Sequence, residues 1–291
     1  MRLVSFVHEG QIRLGALRTG GPRDLVFDLN QIERRLPAHM AAFLESSETA
    51  LLLAAQALER APLEAAFALD GLTLKSPIPH PGKIIAIGHN YLSHAAEANA
   101  GPSKYPIIFA KYNNTVTGPG EPIVLPKLAQ QVDYEGELAV VIGKRCKGMQ
   151  VSEALTCVGG YTALNDVSAR DYQHLTSQWT VGKSFDTFAP MGPALVTSDE
   201  VADPQNLNLK VRIGSEELQS ANTRDMIFPI AQLIATISAV MTLEPGDVIA
   251  TGTPAGVGAA RTPPRWLRPG DVVQVEIEGI GVLENPVVAE A

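Results

Sequence analysis

The chain has 291 residues, 45% of them hydrophobic and 19% charged, with a net charge of −8. That composition describes a globular protein with a full core and room for one large domain, or a main domain plus a small one. The acidic balance excludes nucleic acid or an anionic membrane surface as the principal partner. The two cysteines, Cys146 and Cys157, are too few for a disulfide framework or a zinc site.

In chain order, residues 2–8 and 11–17 read as short strands joined at Glu9-Gly10, with 25–29 as a third. The opening residues carry no sustained apolar run and meet Glu9 early, unlike a signal peptide. The most apolar long segment, around Ile230 to Val240, is too short to span a bilayer, so a cytoplasmic protein without a membrane partner is expected. Two helices rich in Ala and Leu follow at 38–46 and 48–60. Pro77, Pro79 and Pro81 then break regular structure within SPIPHPGK, residues 76–83. This places a small N-terminal α/β domain at 1–75 and the main domain at 76–291.

The main domain reads mostly as β, with strands at 83–87, 106–110, 132–143, 160–165, 193–197, 207–213, 247–251 and 272–278. Helices are expected at 152–156 and 229–241, the second with Pro229 near its first turn, where proline is tolerated. Pro245-Gly246-Asp247 and Pro269-Gly270-Asp271 are turn chemistry leading into β-branched runs. Strand and helix do not alternate, which argues against a doubly wound sheet. The fold class is α+β, mainly β.

Three phosphate or nucleophile motifs fail on inspection. Gly182-Lys183-Ser184 ends like a Walker A loop, but the required first glycine falls on Ser177. Thr251 to Gly258 is glycine-rich without being GxGxxG, and prolines rather than a helix follow it. A GxSxG elbow is absent from the sequence.

Acids supply the positive signal. Glu135 and Glu137 stand two apart at the head of an apolar run, Leu138 to Ile142. In a strand, residues i and i+2 share a face. Carboxylates at the rim of a buried strand need a partner, and their oxygens suit Mg²⁺, Mn²⁺ or Ca²⁺; a solvated strand end is the bland alternative. Asp166 in YTALNDVSARD is the third acid of the set. His94 and Glu97, at spacing i, i+3, would meet on one helical face, where the carboxylate orients the imidazole as a general base. The small residues around them would suit a mobile lid. Arg170 and Gln173 fall on one face if the chain turns helical after Asp166. Lys183 sits among apolar neighbours, as a lysine snorkelling to solvent also would.

Taken in order, these segments resemble the fumarylacetoacetate hydrolase family, over roughly residues 78–285. The resemblance implies a mixed β-roll and β-sandwich catalytic domain with a small N-terminal domain, usually as a homodimer. It implies metal ligands at Glu135, Glu137 and Asp166, with Mg²⁺ or Mn²⁺ as cofactor. It implies a catalytic His94–Glu97 dyad, with Gln173 and Lys183 supporting the developing oxyanion. Arg170 and Thr253, with Tyr91 and His89, would face the substrate. Relatives often carry Arg-Asn-Tyr where this chain has His89-Asn90-Tyr91, so His89 either alters substrate preference or packs under the lid. The expected activity is that of the bacterial acylpyruvase or 2,4-diketo acid hydrolase branch: hydrolysis of a C–C bond in a 2,4-dioxo acid to pyruvate and a carboxylic acid. The alternatives are a 2-hydroxymuconate-type isomerase or an oxaloacetate decarboxylase, and, from another class, a non-catalytic metal-binding dimer.

Overall fold

The structure, a computed structural model, describes residues 1–101 and 103–291, with the backbone alone at 47 and 48. Its spine is the strand Gly136–Ile142, buried along its whole length. Leu138, Val140 and Ile142 enter one hydrophobic core, whereas Ala139 and Val141 enter another. This is the period-2 alternation of a strand covered on both faces, which is why the sequence shows an unbroken apolar run there. Val158–Asn165 pairs antiparallel with it on one side and Val248–Ala250 on the other. Ile84–Gly88 and Ile107–Lys111 continue the sheet to one edge.

The other half of the sheet runs through Ala189–Thr197 into the first strand of the chain, Arg2–His8, with Arg2 opposite Val196 and Leu3 opposite Leu195. The hairpin partner Gln11–Arg18 and then Leu25–Asp28 extend it further. Residues 1–75 and 76–291 therefore share one twelve-stranded sheet. They also share a core, in which Leu3, Leu14 and Phe43 meet Ala139, Val141 and Leu195. A five-stranded sheet, which includes Asn208–Ile213, Val272–Ile277 and Gly281–Ala289, covers the opposite face together with the helix Ile230–Val240. The architecture is mixed and mainly β, as the sequence pattern implies.

Most differences from the expected elements have local causes. The helices come out as Met40–Glu45, Ser47–Arg60 and Ile230–Val240, while 152–156 forms only a 3-10 turn, Ala154–Cys157. Ala189–Thr197 begins earlier than expected because Pro190 and Pro193 hide its first half from a strand pattern. Glu216–Asn222 and Gly281–Ala289 are strands that polar residues and Pro286 disguise. Cys146 and Cys157 are both buried free thiols. No helix among the described residues is long and apolar enough to cross a membrane.

Candidate active site

The site is built where the spine strand begins. Asn165, at the end of the neighbouring strand, accepts the Glu135 N–H through its side-chain oxygen at 3.0 Å. The Asp166 N–H donates to the Glu135 carbonyl at 2.8 Å. These two bonds lock together acids that flank the ends of two neighbouring strands, Glu135 just before Gly136–Ile142 and Asp166 just after Val158–Asn165. Glu135, Glu137 and Asp166 are all buried, and one oxygen from each lies within 4.8 Å of the others.

Cations compensate part of this charge. Lys183 Nζ lies 2.7 Å from Glu135 Oε2 and 2.8 Å from Asp166 Oδ2. Lys111, at the end of its strand, reaches Asp166 Oδ1 at 2.6 Å and donates to the Val167 carbonyl. Arg170 Nη2 stands 2.7 Å from Glu135 Oε1. Among the described residues no cation pairs with Glu137, which accepts the Gly252 N–H at 2.7 Å. The consequences differ accordingly. Burial opposes the Glu135 charge, but Lys183 and Arg170 outweigh it and hold its carboxyl below the usual range. Burial, then the Asp166 and Glu135 charges, push Glu137 well above it. Burial alone would lower Lys183, yet Asp166 and Glu135 raise it. For Lys111 burial prevails and its pKa falls. An all-oxygen cluster with one carboxylate short of positive charge fits a hard divalent cation, held by Glu135, Glu137 and Asp166.

Of these groups, Glu135, Glu137, Arg170 and Lys183 line a cavity of about 230 Å³. On one wall the short helix Leu92–Glu97 carries His94, whose Nδ1 is 2.8 Å from Glu97 Oε1. Glu97 Oε2 accepts the Gly256 N–H at 3.0 Å, so the dyad is tied to the glycine-rich loop that carries Thr253. With Nδ1 engaged by the carboxylate, the imidazole retains Nε2 as its free nitrogen. Opposite, Arg170 Nη1 donates to Gln173 Oε1 at 2.9 Å within a single helical turn, Arg170–Gln173. That bond orients the amide and leaves its NH₂ as the unused group. His89 holds a left-handed backbone, φ 52°, directly after Gly88. Its ring packs 5.3 Å from Trp179 and 5.5 Å from His94. Burial, then His94, lowers its pKa, so it is neutral near pH 7. A Cβ on Gly88 would fall 2.3 Å from the Trp179 ring, so only glycine lets this wall close.

The structure thus brings His89, His94, Glu97, Glu135, Glu137, Arg170, Gln173, Lys183 and Thr253 to one cavity, with Asp166 directly behind it. Two of the expected substrate contacts change. Tyr91 is fully buried in the main core and does not line the cavity. The Thr253 hydroxyl gives its proton to the Gly136 carbonyl at 2.9 Å and accepts from Gln219 at 2.8 Å, so it has no proton for a substrate carboxylate. Lys111, Asp133, Trp179 and Gln219 belong to the site without a local sequence signal, except Asp133, which opens the same DYEGE segment as the metal-ligand candidates. A larger groove, about 750 Å³, lies beside the first hairpin, but its Arg13 and Arg35 are committed to Asp28 and Glu33.

Comparison with known proteins agrees with this geometry. Residues 83–288 match the family described as fumarylacetoacetate (FAA) hydrolase, C-terminal. Oxaloacetate tautomerase fahd2, mitochondrial, of Xenopus laevis is 45% identical over 99% of this chain and 90% of its own length. Among solved structures, maleylpyruvate hydrolase from Sphingobium sp. SYK-6, in complex with manganese(II) and pyruvate, aligns over all of both chains at 33% identity and TM-score 0.83. A 5-carboxymethyl-2-hydroxymuconate delta-isomerase from Mycobacterium smegmatis aligns over the same extent at 35% and TM-score 0.79. The family match and these likenesses lead to one conclusion: the chain belongs to the fumarylacetoacetate hydrolase family.

Proposed function

We propose that this enzyme interconverts the keto and enol forms of a short 2-keto dicarboxylic acid, with oxaloacetate as the substrate its relatives support best. The observation that carries the reading is the His94–Glu97 dyad beside the three-carboxylate cluster in a small cavity. About 230 Å³ is below the roughly 300–1,000 Å³ of drug-sized sites and suits a four-carbon acid. Glu135, Glu137 and Asp166 would hold a divalent ion, which would supply Lewis-acid stabilisation of negative charge developing on the substrate oxygen.

The remaining steps fall to side chains. His94 Nε2 removes a proton from the carbon beside the keto group, while Glu97 stabilises the imidazolium. The same nitrogen returns a proton to the oxygen or to the carbon, and the two directions give the two tautomers. The Gln173 NH₂ and Lys183 donate to the developing oxyanion. No water enters this reaction. Hydrolytic C–C cleavage, the activity expected from the motifs, becomes the second reading. It uses the same dyad to deprotonate water and is supported by the likeness to maleylpyruvate hydrolase.

The test follows enol oxaloacetate as it becomes keto oxaloacetate, trapped by malate dehydrogenase, with Mg²⁺, Mn²⁺ or EDTA. Pyruvate release from oxaloacetate and from acylpyruvates is followed in parallel. Metal-dependent tautomerisation without pyruvate is the expected result. Pyruvate from oxaloacetate would make the protein a decarboxylase, and pyruvate from acylpyruvates alone would make it the hydrolase.

A further inference from the structure

We propose that Asp133 is a positioning residue: by holding Arg170, it keeps the Glu135 carboxylate available to a divalent ion. The inference rests on the metal site described above and is independent of which reaction that site runs.

Asp133 is fully buried. The two-residue strand Val132–Asp133 pairs with Ser168–Ala169, and the Arg170 N–H donates to the Gln131 carbonyl, so the backbone delivers Asp133 and Arg170 side by side. Its Oδ1 accepts the N–H groups of Tyr134 at 2.8 Å and Gly258 at 2.7 Å. Its Oδ2 accepts Ala259 N–H at 2.9 Å and Arg170 Nε at 3.0 Å, with Arg170 Nη2 a further 2.9 Å contact. A carboxylate so fully engaged has no lone pair free for a metal, and it is not one of the three clustered acids. The fit is close: a Cβ on Gly258 would stand 2.6 Å from Asp133 Oδ1.

Arg170 is the group that Asp133 controls. Its Nη2 lies between two anions, Asp133 Oδ2 at 2.9 Å and Glu135 Oε1 at 2.7 Å. The Glu135 carboxylate, which would help to hold a metal ion, is thus also the partner of a guanidinium. While Asp133 grips the Nε–Nη2 edge, it neutralises the guanidinium and fixes its plane, so Arg170 cannot swing fully onto Glu135. With that negative charge removed, Glu135 is the one anion, among the described residues, left paired with the guanidinium. The ion pair tightens, and an uncompensated cation then faces the incoming metal in a buried site. Metal affinity falls on both counts.

Asp133→Asn keeps the shape and an acceptor for the Tyr134 and Gly258 N–H groups, while its NH₂ replaces the oxygen that accepts from Ala259 and Arg170. Manganese affinity by titration calorimetry is expected to fall about tenfold or more, a difference of about 1.4 kcal/mol. Adding Arg170→Gln removes the competing cation, and the double variant is expected to return to within about threefold of the parent. A residue that merely anchors the 258–259 loop would not be rescued in this way. Arg170→Gln alone, which does not require D133N to fold, is expected to bind manganese more tightly than the parent. Unchanged affinity in D133N, a double variant no better than D133N, or R170Q binding equally or more weakly would each overturn the inference. A parent protein that binds no manganese would instead overturn the metal site on which it stands.

Discussion

Replacing Glu97 by Gln changes a single atom in the dyad, and the structure specifies what that atom does. Glu97 accepts from both sides: from His94 Nδ1 through Oε1 at 2.8 Å and from the Gly256 N–H through Oε2 at 3.0 Å. Glutamine has one acceptor and one donor on its amide. If its oxygen stays on His94, its NH₂ faces the Gly256 N–H, donor against donor, and the loop tie is lost. If the amide flips, its NH₂ faces Nδ1, which must then be the acceptor; the proton moves to Nε2 and the base disappears. Either orientation removes a working part. General-base contributions are about 10²–10⁴-fold, so kcat should fall about a hundredfold or more, equivalent to about 2.7 kcal/mol in the barrier. The metal-ligand candidates lie outside this pair, so manganese affinity should hold within about twofold. The assay is metal-saturated tautomerisation by stopped flow, with calorimetric metal titration beside it. A kcat within threefold of the parent would refute the dyad's role, and a large loss of metal affinity would refute its separation from the cation site.

Other consequences are equally open to measurement. Because burial and two neighbouring acids raise Glu137, the metal-free protein is increasingly destabilised as pH climbs from the unfolded carboxyl value to the raised folded one. Metal must displace that proton. Calorimetry in buffers of different ionisation enthalpy should show proton release on manganese binding and affinity that rises with pH; no dependence on buffer would contradict the assignment. Lys183→Met removes the cation that bridges Glu135 and Asp166 and leaves the three buried carboxylates with one positive charge fewer, only Arg170 and Lys111 remaining, at a cost of up to about 3–5 kcal/mol. Its melting temperature should fall sharply in EDTA and recover with manganese more than the parent's does, and an identical metal response in both proteins would argue against the pairing. Deleting residues 1–75 would expose the Ala189–Thr197 edge and the apolar face of Ala139, Val141 and Leu195. The 76–291 fragment should be insoluble or bind ANS; cooperative unfolding of a soluble fragment would show that the proline-rich 76–83 segment separates two independent units.

Much of the site is legible in the sequence because its parts are local. Glu135 and Glu137 stand two apart at the head of the strand Gly136–Ile142, and His94 and Glu97 share the short helix Leu92–Glu97, so spacing alone pairs them. The covered strand announces itself because both faces are apolar. What the sequence hides is long-range. Lys111 meets Asp166 across 55 positions, and Gln219 meets Thr253 across 34, and nothing near either residue marks it. Asp133 could have been noticed as the first acid of DYEGE, but only the structure shows that its oxygens are spent on Arg170 and a loop backbone. Tyr91 follows the opposite course: its place beside His89 and Asn90 suggests a substrate contact, whereas the backbone bridge Tyr91–Met226 turns it into the core. The proline-rich 76–83 segment interrupts secondary structure as expected, yet the pairing of Arg2 with Val196 carries one sheet across it.

The most direct test of the central claim is the enol-to-keto rate of oxaloacetate in the parent and in His94→Ala, each with manganese and with EDTA. The account predicts a rate that requires both metal and His94, with manganese affinity intact in H94A and no pyruvate formed. A rate that survives the loss of His94, or one that is unchanged by EDTA, would contradict it.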